Sequence, residues 1–63
     1  MIKVLRILKS PDPLMWYSKF IGKTVPYEGE WRDTPDCYRS REPAGYSNIV
    51  KKDDAILIEV EDF

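Results

Sequence analysis

The sequence predicts a small, mainly β domain, and three observations carry that prediction. Stretches rich in β-branched, aliphatic and aromatic residues recur at short intervals, none of them long enough for a helix of several turns. Gly and Pro punctuate them at Ser10-Pro11-Asp12-Pro13, Gly22, Pro26, Gly29, Pro35 and Pro43-Ala44-Gly45. The last of these is a hairpin signature, and it sits midway between two strand-like runs.

Ile2 to Leu8 reads as the first strand and stops at the Ser10-Pro13 breaker. Its alternation is imperfect, with Ile2 and Val4 on one face and Leu5 and Ile7 on the other. Such a strand is either covered on both sides or carries a bulge near Val4-Leu5. The alternative is a short helix, because Leu, Arg and Lys favour one. Asp12-Pro13 is a helix-start signal, with Asp as N-cap and Pro at the first helical position. Leu14 to Ile21 has room for about two turns and should therefore form a short helix or 3₁₀ turn, ended by Gly22 and turning an aromatic side toward the sheet.

Lys23 to Tyr27 reads as the second strand, placed at an edge or ended by Pro26, which has no N–H to donate. Glu28-Gly29 signals a turn, Glu30-Trp31-Arg32 a brief return, and Asp33 to Asp36 a loop. Cys37 to Glu42 and Tyr46 to Lys51 flank Pro43-Ala44-Gly45. Pro presets the first corner of a type I turn and Gly takes the left-handed position after it, the chemistry of a three-residue hairpin with a bulge. Lys51 to Asp54 is too polar for core and predicts a single turn. In Ala55 to Glu61, the final strand, Ile56, Ile58 and Val60 alternate with Leu57, Glu59 and Glu61, so that one face enters the core and the other stays wet.

Closing a short all-β chain removes vulnerable edges, which favours a small SH3-like barrel of about five strands with a helical turn near residues 14–20. An OB-type barrel wants a longer chain, and an open α+β sheet with one helix is the second choice. Residues 1–63 leave room for one domain, of modest stability because a chain this short buries only about 60% of its unfolded surface.

Composition excludes several chemistries. With one cysteine, Cys37, and no histidine, there is no internal disulfide, no usual zinc site and no histidine-based triad. No metal or cofactor is expected, and neither is an enzyme. Cys37 is read as a small residue at a strand start rather than a nucleophile. Asp53 and Asp54 are read as turn residues rather than Mg²⁺ ligands. A single thiol suits a reducing compartment, no run approaches the roughly 20 apolar residues of a membrane span, and a cytoplasmic location without membrane contact is expected. Ten basic against eleven acidic residues give a net charge of −1, which offers no support for non-specific nucleic-acid binding.

Phe20-Ile21-Gly22-Lys23-Thr24-Val25 with Tyr17, Tyr38-Arg39-Ser40-Arg41, Gly45-Tyr46-Ser47-Asn48-Ile49-Val50 and Lys52-Asp53-Asp54-Ala55 together span much of the chain. In this pattern the chain resembles small uncharacterised SH3-like barrel proteins of the kind found in phage genomes. The resemblance implies a small accessory protein that modulates a host protein in the host cytoplasm. The Ala-Leu-Tyr-Asp-Tyr run and the adjacent Trp pair of peptide-binding signalling SH3 domains are absent, which argues against recognition of proline-rich peptides.

Binding features are richer. Trp16, Tyr17, Phe20 and Trp31 are candidates for core, whereas Tyr27, Tyr38 and Tyr46 are amphipathic enough for a surface. Arg39 and Arg41, two apart on one strand, should share a face with Arg32 nearby. They form either a carboxylate- or phosphate-binding patch or cross-strand pairs with Glu42, Glu59 or Glu61. Glu59, Glu61 and Asp62 join Asp53 and Asp54 as an acidic end. The expected function is protein binding through Tyr27, Trp31, Tyr38, Arg39, Arg41 and Tyr46. The alternatives are a nucleic-acid-binding barrel using exposed Tyr with Arg39, Arg41 and Lys51, and a self-associating structural protein.

Overall fold

The structure, a computed structural model, describes residues 2–61. Five strands form two antiparallel sheets: β1 (Ile2–Ile7), β2 (Thr24–Pro26) and β5 (Ala55–Val60) in the order β2-β1-β5, and β3 (Cys37–Arg41) with β4 (Ser47–Lys51). A short 3₁₀ turn, Trp16–Phe20, lies in the long β1–β2 connection, and a second, Lys52–Asp54, precedes β5. The chain leaves β2 and runs alongside β3. The Glu28 N–H donates to the Arg39 carbonyl, the Arg39 N–H to the Gly29 carbonyl, and Glu30 bridges Tyr38. The two sheets are thus joined through residues 28–30 into one small, mainly β domain, the fold class that the sequence predicts.

Residues 2–7 are a strand, paired on both sides and without a bulge in either register. The turn chemistry of the second half also forms. The Gly45 N–H donates to the Glu42 carbonyl and the Glu42 N–H to the Tyr46 carbonyl, with Gly45 at φ +99. The early helical segment is shorter than two turns because its start signal is used otherwise. Asp12 accepts the Leu14 N–H on its side chain and the Met15 N–H on its carbonyl, closing a turn ahead of Trp16. Met15, not Asp12, stands at the N-cap, without a side-chain cap. Glu30-Trp31-Arg32 makes a single bridge rather than a strand.

The core is Leu5, Ile7, Tyr17, Val25, Val50 and Ala55, with Met15, Trp16, Phe20, Tyr27 and Tyr38 packed against it. Register decides which face of each strand contributes. Leu5 lies opposite both Val25 and Leu57, and Ile7 opposite Ala55, so Ala55 and Leu57 share the core-side face of β5, with Ala55 buried and Leu57 exposed at its margin. Ile56, Ile58 and Val60, the apolar set of the alternation, lie opposite Arg6, Val4 and Ile2 on the outer face. Ile56 is 44% exposed there. An inward assignment of that set would be one residue out of phase, which in a strand reverses every side chain.

Tyr17, fully buried, donates its hydroxyl to Asp54 Oδ2 at 2.5 Å, and Asp54 is itself buried. The Asp54 carbonyl accepts from the Leu8 and Lys9 N–H groups. One residue of the second 3₁₀ turn therefore holds both the start of the β1–β2 connection and the 3₁₀ turn within it, which is why the polar turn is structural. Burial first, and then the hydrogen bond to Asp54, push the Tyr17 hydroxyl well above the ordinary tyrosine range. Among the described residues no helix is long and apolar enough to cross a membrane.

Candidate functional site

Tyr27, Trp31, Tyr38 and Arg39 come together beside the joint between the two sheets. On β3, neighbouring side chains point to opposite faces, so Tyr38 turns toward the core while Arg39 turns out. The Tyr27 and Tyr38 rings meet edge to face at 5.8 Å. Trp31 crosses the strand and donates its indole N–H to the Tyr38 carbonyl at 3.0 Å. That bond satisfies the indole nitrogen and holds the ring under Arg39, whose guanidinium carbon lies 5.2 Å from the ring centroid. Trp31 is therefore half-buried at the surface and is not among the core residues, contrary to the reading that counted it there.

Charge is distributed unevenly around this cluster. Glu30 accepts the Tyr27 hydroxyl at 3.1 Å and pairs with the Lys52 ammonium at 2.5 Å. The same ammonium lies 5.2 Å from the centroid of Tyr38. The hydrogen bond from Lys52 holds the Glu30 carboxyl below the usual carboxylate range, and that bond raises Lys52 in turn. Desolvation and then the bond to Glu30 raise the Tyr27 hydroxyl. Glu30 is thus committed within the chain. Arg39 forms no salt bridge among the described residues.

These residues border an open groove of about 550 Å³ lined by Glu30, Trp31, Arg32, Asp33, Thr34 and Arg39. Arg32 and Arg39 offer two cations to it, Asp33 and the Lys52-paired Glu30 two anions, and Trp31 a flat apolar wall. Arg32, Thr34, Glu30 and Lys52 were not all visible as one locality in the sequence. The bridge between Glu30 and Tyr38, with the main-chain bonds of residues 28 and 29 to Arg39, brings the 30–34 loop beside β3 and the turn after β4.

Arg41 and Tyr46 lie elsewhere. Arg41 shares the outward face of β3 with Arg39, yet its guanidinium binds Glu28 at 2.8 Å and the Gly45 carbonyl at 2.6 Å. The cross-strand pairing expected for an arginine does occur, with Glu28 rather than Glu42, Glu59 or Glu61. Glu42 instead accepts from the Asn48 side chain. Tyr46 stands beside the hairpin turn, 70% exposed. The acidic end does not include Asp54, which is buried against Tyr17; Asp62 lies outside the described residues.

Cys37 is buried, and burial with the neighbouring Asp36 pushes its thiol up, away from the thiolate that a nucleophile needs. The described residues contain no group of three or more Cys, Asp or Glu placed to hold a metal ion. Comparisons with protein-family models, with curated proteins and with solved structures find no match to this chain.

Proposed function

We propose that this chain is a small, non-catalytic module that binds a protein partner through the groove between Trp31 and Arg39. The observation that carries the reading is the contrast between two arginines on one strand face. Arg41 is neutralised by Glu28, whereas Arg39 is seated on an indole at the mouth of the groove and forms no salt bridge among the described residues. Stacking costs an exposed arginine rotamer freedom and returns only about 0.5–1 kcal/mol. A guanidinium already held in place loses less freedom when a ligand arrives, and immobilising such a side chain otherwise costs about 0.5–1.5 kcal/mol. Trp, Tyr and Arg in one patch are the residue types that dominate protein–protein binding energy.

The chemistry of the groove fits a segment that presents a carboxylate or carbonyl oxygen to Arg39 and an apolar side chain to Trp31. A phosphate backbone, with a charge on every nucleotide, is a poorer fit, because Arg32 and Arg39 are balanced by Glu30 and Asp33 in the groove and Arg41 is already paired. The likeness to small phage-encoded barrels makes modulation of a larger host protein in the cytoplasm the expected use of such a surface.

Affinity capture with tagged protein from nuclease-treated cell lysate tests the proposal. A stoichiometric protein partner that resists moderate salt and is lost from the Trp31→Ala and Arg39→Ala proteins is the expected result. Retention of nucleic acid alone, falling steeply with salt when nuclease is omitted, would replace it with the nucleic-acid reading.

A further inference from the structure

The three-stranded sheet ends on β5, and the phase of its hydrogen bonds can be read from its neighbours. The Ile7 N–H donates to the Lys23 carbonyl and the Ile7 carbonyl accepts from Gly22, so the main chain of Ile7 faces β2. The Leu8 N–H donates to the Asp54 carbonyl, on the opposite side. Main-chain groups alternate along a strand, so Arg6, Val4 and Ile2 face β5 and bond Ile56, Ile58 and Val60 opposite them. The N–H and C=O groups of Ala55, Leu57 and Glu59 consequently point away from the sheet. Among the described residues nothing pairs with them.

Exposed edges in native proteins are commonly blunted by Pro, by charged side chains, Lys above all, by a bulge or by a covering loop. β5 has no Pro, Lys or bulge; its one charge is Glu59, towards its end, and it carries two large exposed apolar side chains in succession, Ile56 and Leu57, the latter 38% exposed. We infer that β5 is a self-pairing edge: two copies of the chain join antiparallel through Ala55–Glu59, with the two-fold axis beside Leu57, into one six-stranded sheet.

Charge and register select this arrangement. An axis beside Glu59 would set carboxylate against carboxylate, which is destabilising for directly opposed residues. An axis beside Ile58 would oppose Leu57 to the partner's Glu59. An axis beside Ala55 or Ile56 would drive the pairing into the 3₁₀ turn at Lys52–Asp54. With the axis at Leu57, Leu57 meets its own copy, Ile56 meets Ile58 on the outer face, and Glu59 lies opposite Ala55 with Lys3 of its own chain beside it. The outer apolar face of Ile2, Val4, Ile56, Ile58 and Val60 then continues across both copies.

An edge of five residues a side falls at the small end of specific interfaces, below about 1,200 Å² in total, so the dimer should be reversible, with a Kd of about 10–100 μM. Sedimentation equilibrium from about 10 μM to about 1 mM, with amide exchange at the same concentrations, tests this. The expected result is a monomer–dimer equilibrium in which protection of the Leu57 and Glu59 amides rises with dimer. Leu57→Lys sets like charges on the axis. Glu59→Pro removes an N–H that β1 does not use, so it blocks the edge while leaving the ladder intact. Each substitution should weaken the dimer at least about tenfold at an unchanged circular dichroism spectrum. A monomer at about 1 mM would overturn the inference, and so would a dimer that survives both substitutions. A wild type that stays monomeric while an added extended peptide protects the edge amides would equally overturn self-pairing, and would make β5 a peptide site instead.

Discussion

Replacing Tyr17 by Phe removes one hydroxyl from a buried position and leaves the ring in place, so the cost is almost entirely that of the bond to Asp54. The hydroxyl donates to a carboxylate oxygen at 2.5 Å, and both residues are essentially shut off from solvent. A hydrogen bond to a charged group contributes about 1.5–3 kcal/mol, and the acceptor left behind carries its own desolvation penalty. The expected loss is about 2–3 kcal/mol. A chain of this length has roughly 3–9 kcal/mol of stability in total, so this single atom accounts for a large share of it. In a thermal melt followed by circular dichroism, Tm should fall by about 10–20 °C. Urea unfolding should show a lower midpoint at unchanged slope. Asp54→Asn, which keeps an acceptor for the hydroxyl, should cost less than Tyr17→Phe. The sign of the alkaline response follows from the raised hydroxyl of Tyr17. Its contribution is complete below about pH 10, where the unfolded tyrosine begins to ionise, and is lost as pH climbs beyond that value. Tyr17→Phe should lack that part of the alkaline loss. A change in stability below about 0.5 kcal/mol would refute the reasoning, since it would mean that Asp54 finds another donor at no cost.

Two further outcomes follow from particular contacts. Gly45→Ala should destabilise the domain by about 1–2 kcal/mol in urea unfolding. A Cβ there meets no neighbouring atom, so the cost comes from φ +99 alone. Lys52→Ala should let the Glu30 carboxyl rise toward the ordinary range, read by carboxyl NMR titration. In the parent protein the Glu30 contribution is present above the unfolded carboxylate range and disappears as pH falls through the lowered folded value. An unshifted Glu30 titration in Lys52→Ala would remove the Glu30–Lys52 pair from the account of the site.

Local chemistry was legible in the sequence, and long-range phase was not. Pro43-Ala44-Gly45 makes its hairpin because the turn is decided by its own three residues, and Lys52–Asp54 makes its turn for the same reason. The alternation of Ile56, Ile58 and Val60 marked a strand, but alternation alone does not say which set faces inward. That depends on the pairing of Leu5 with Leu57, two residues at opposite ends of the chain. Asp12 carries a helix-start signal and closes a turn instead, since its side chain reaches the Leu14 N–H before any helix begins. At the candidate site the sequence places Tyr38 and Arg39 on one surface, whereas alternation along β3 turns Tyr38 against the core and only Arg39 outward. Arg41 and Arg39 look equivalent by the same rule. What separates them is Glu28, thirteen residues before Arg41, brought alongside by the hydrogen bonds of residues 28 and 29 to Arg39. Glu30 and Lys52 likewise meet only because the 28–30 segment runs along β3.

The inequality of Arg39 and Arg41 is the central claim, and side-by-side alanine substitution tests it most directly. Each variant would be confirmed as folded by circular dichroism, then compared with the parent for capture of the same partner at equal salt. Arg39→Ala should lose the partner by at least about tenfold, equivalent to about 1.4 kcal/mol, while Arg41→Ala should retain it. Undiminished binding by a folded Arg39→Ala protein, or equal losses from both variants, would contradict that inequality.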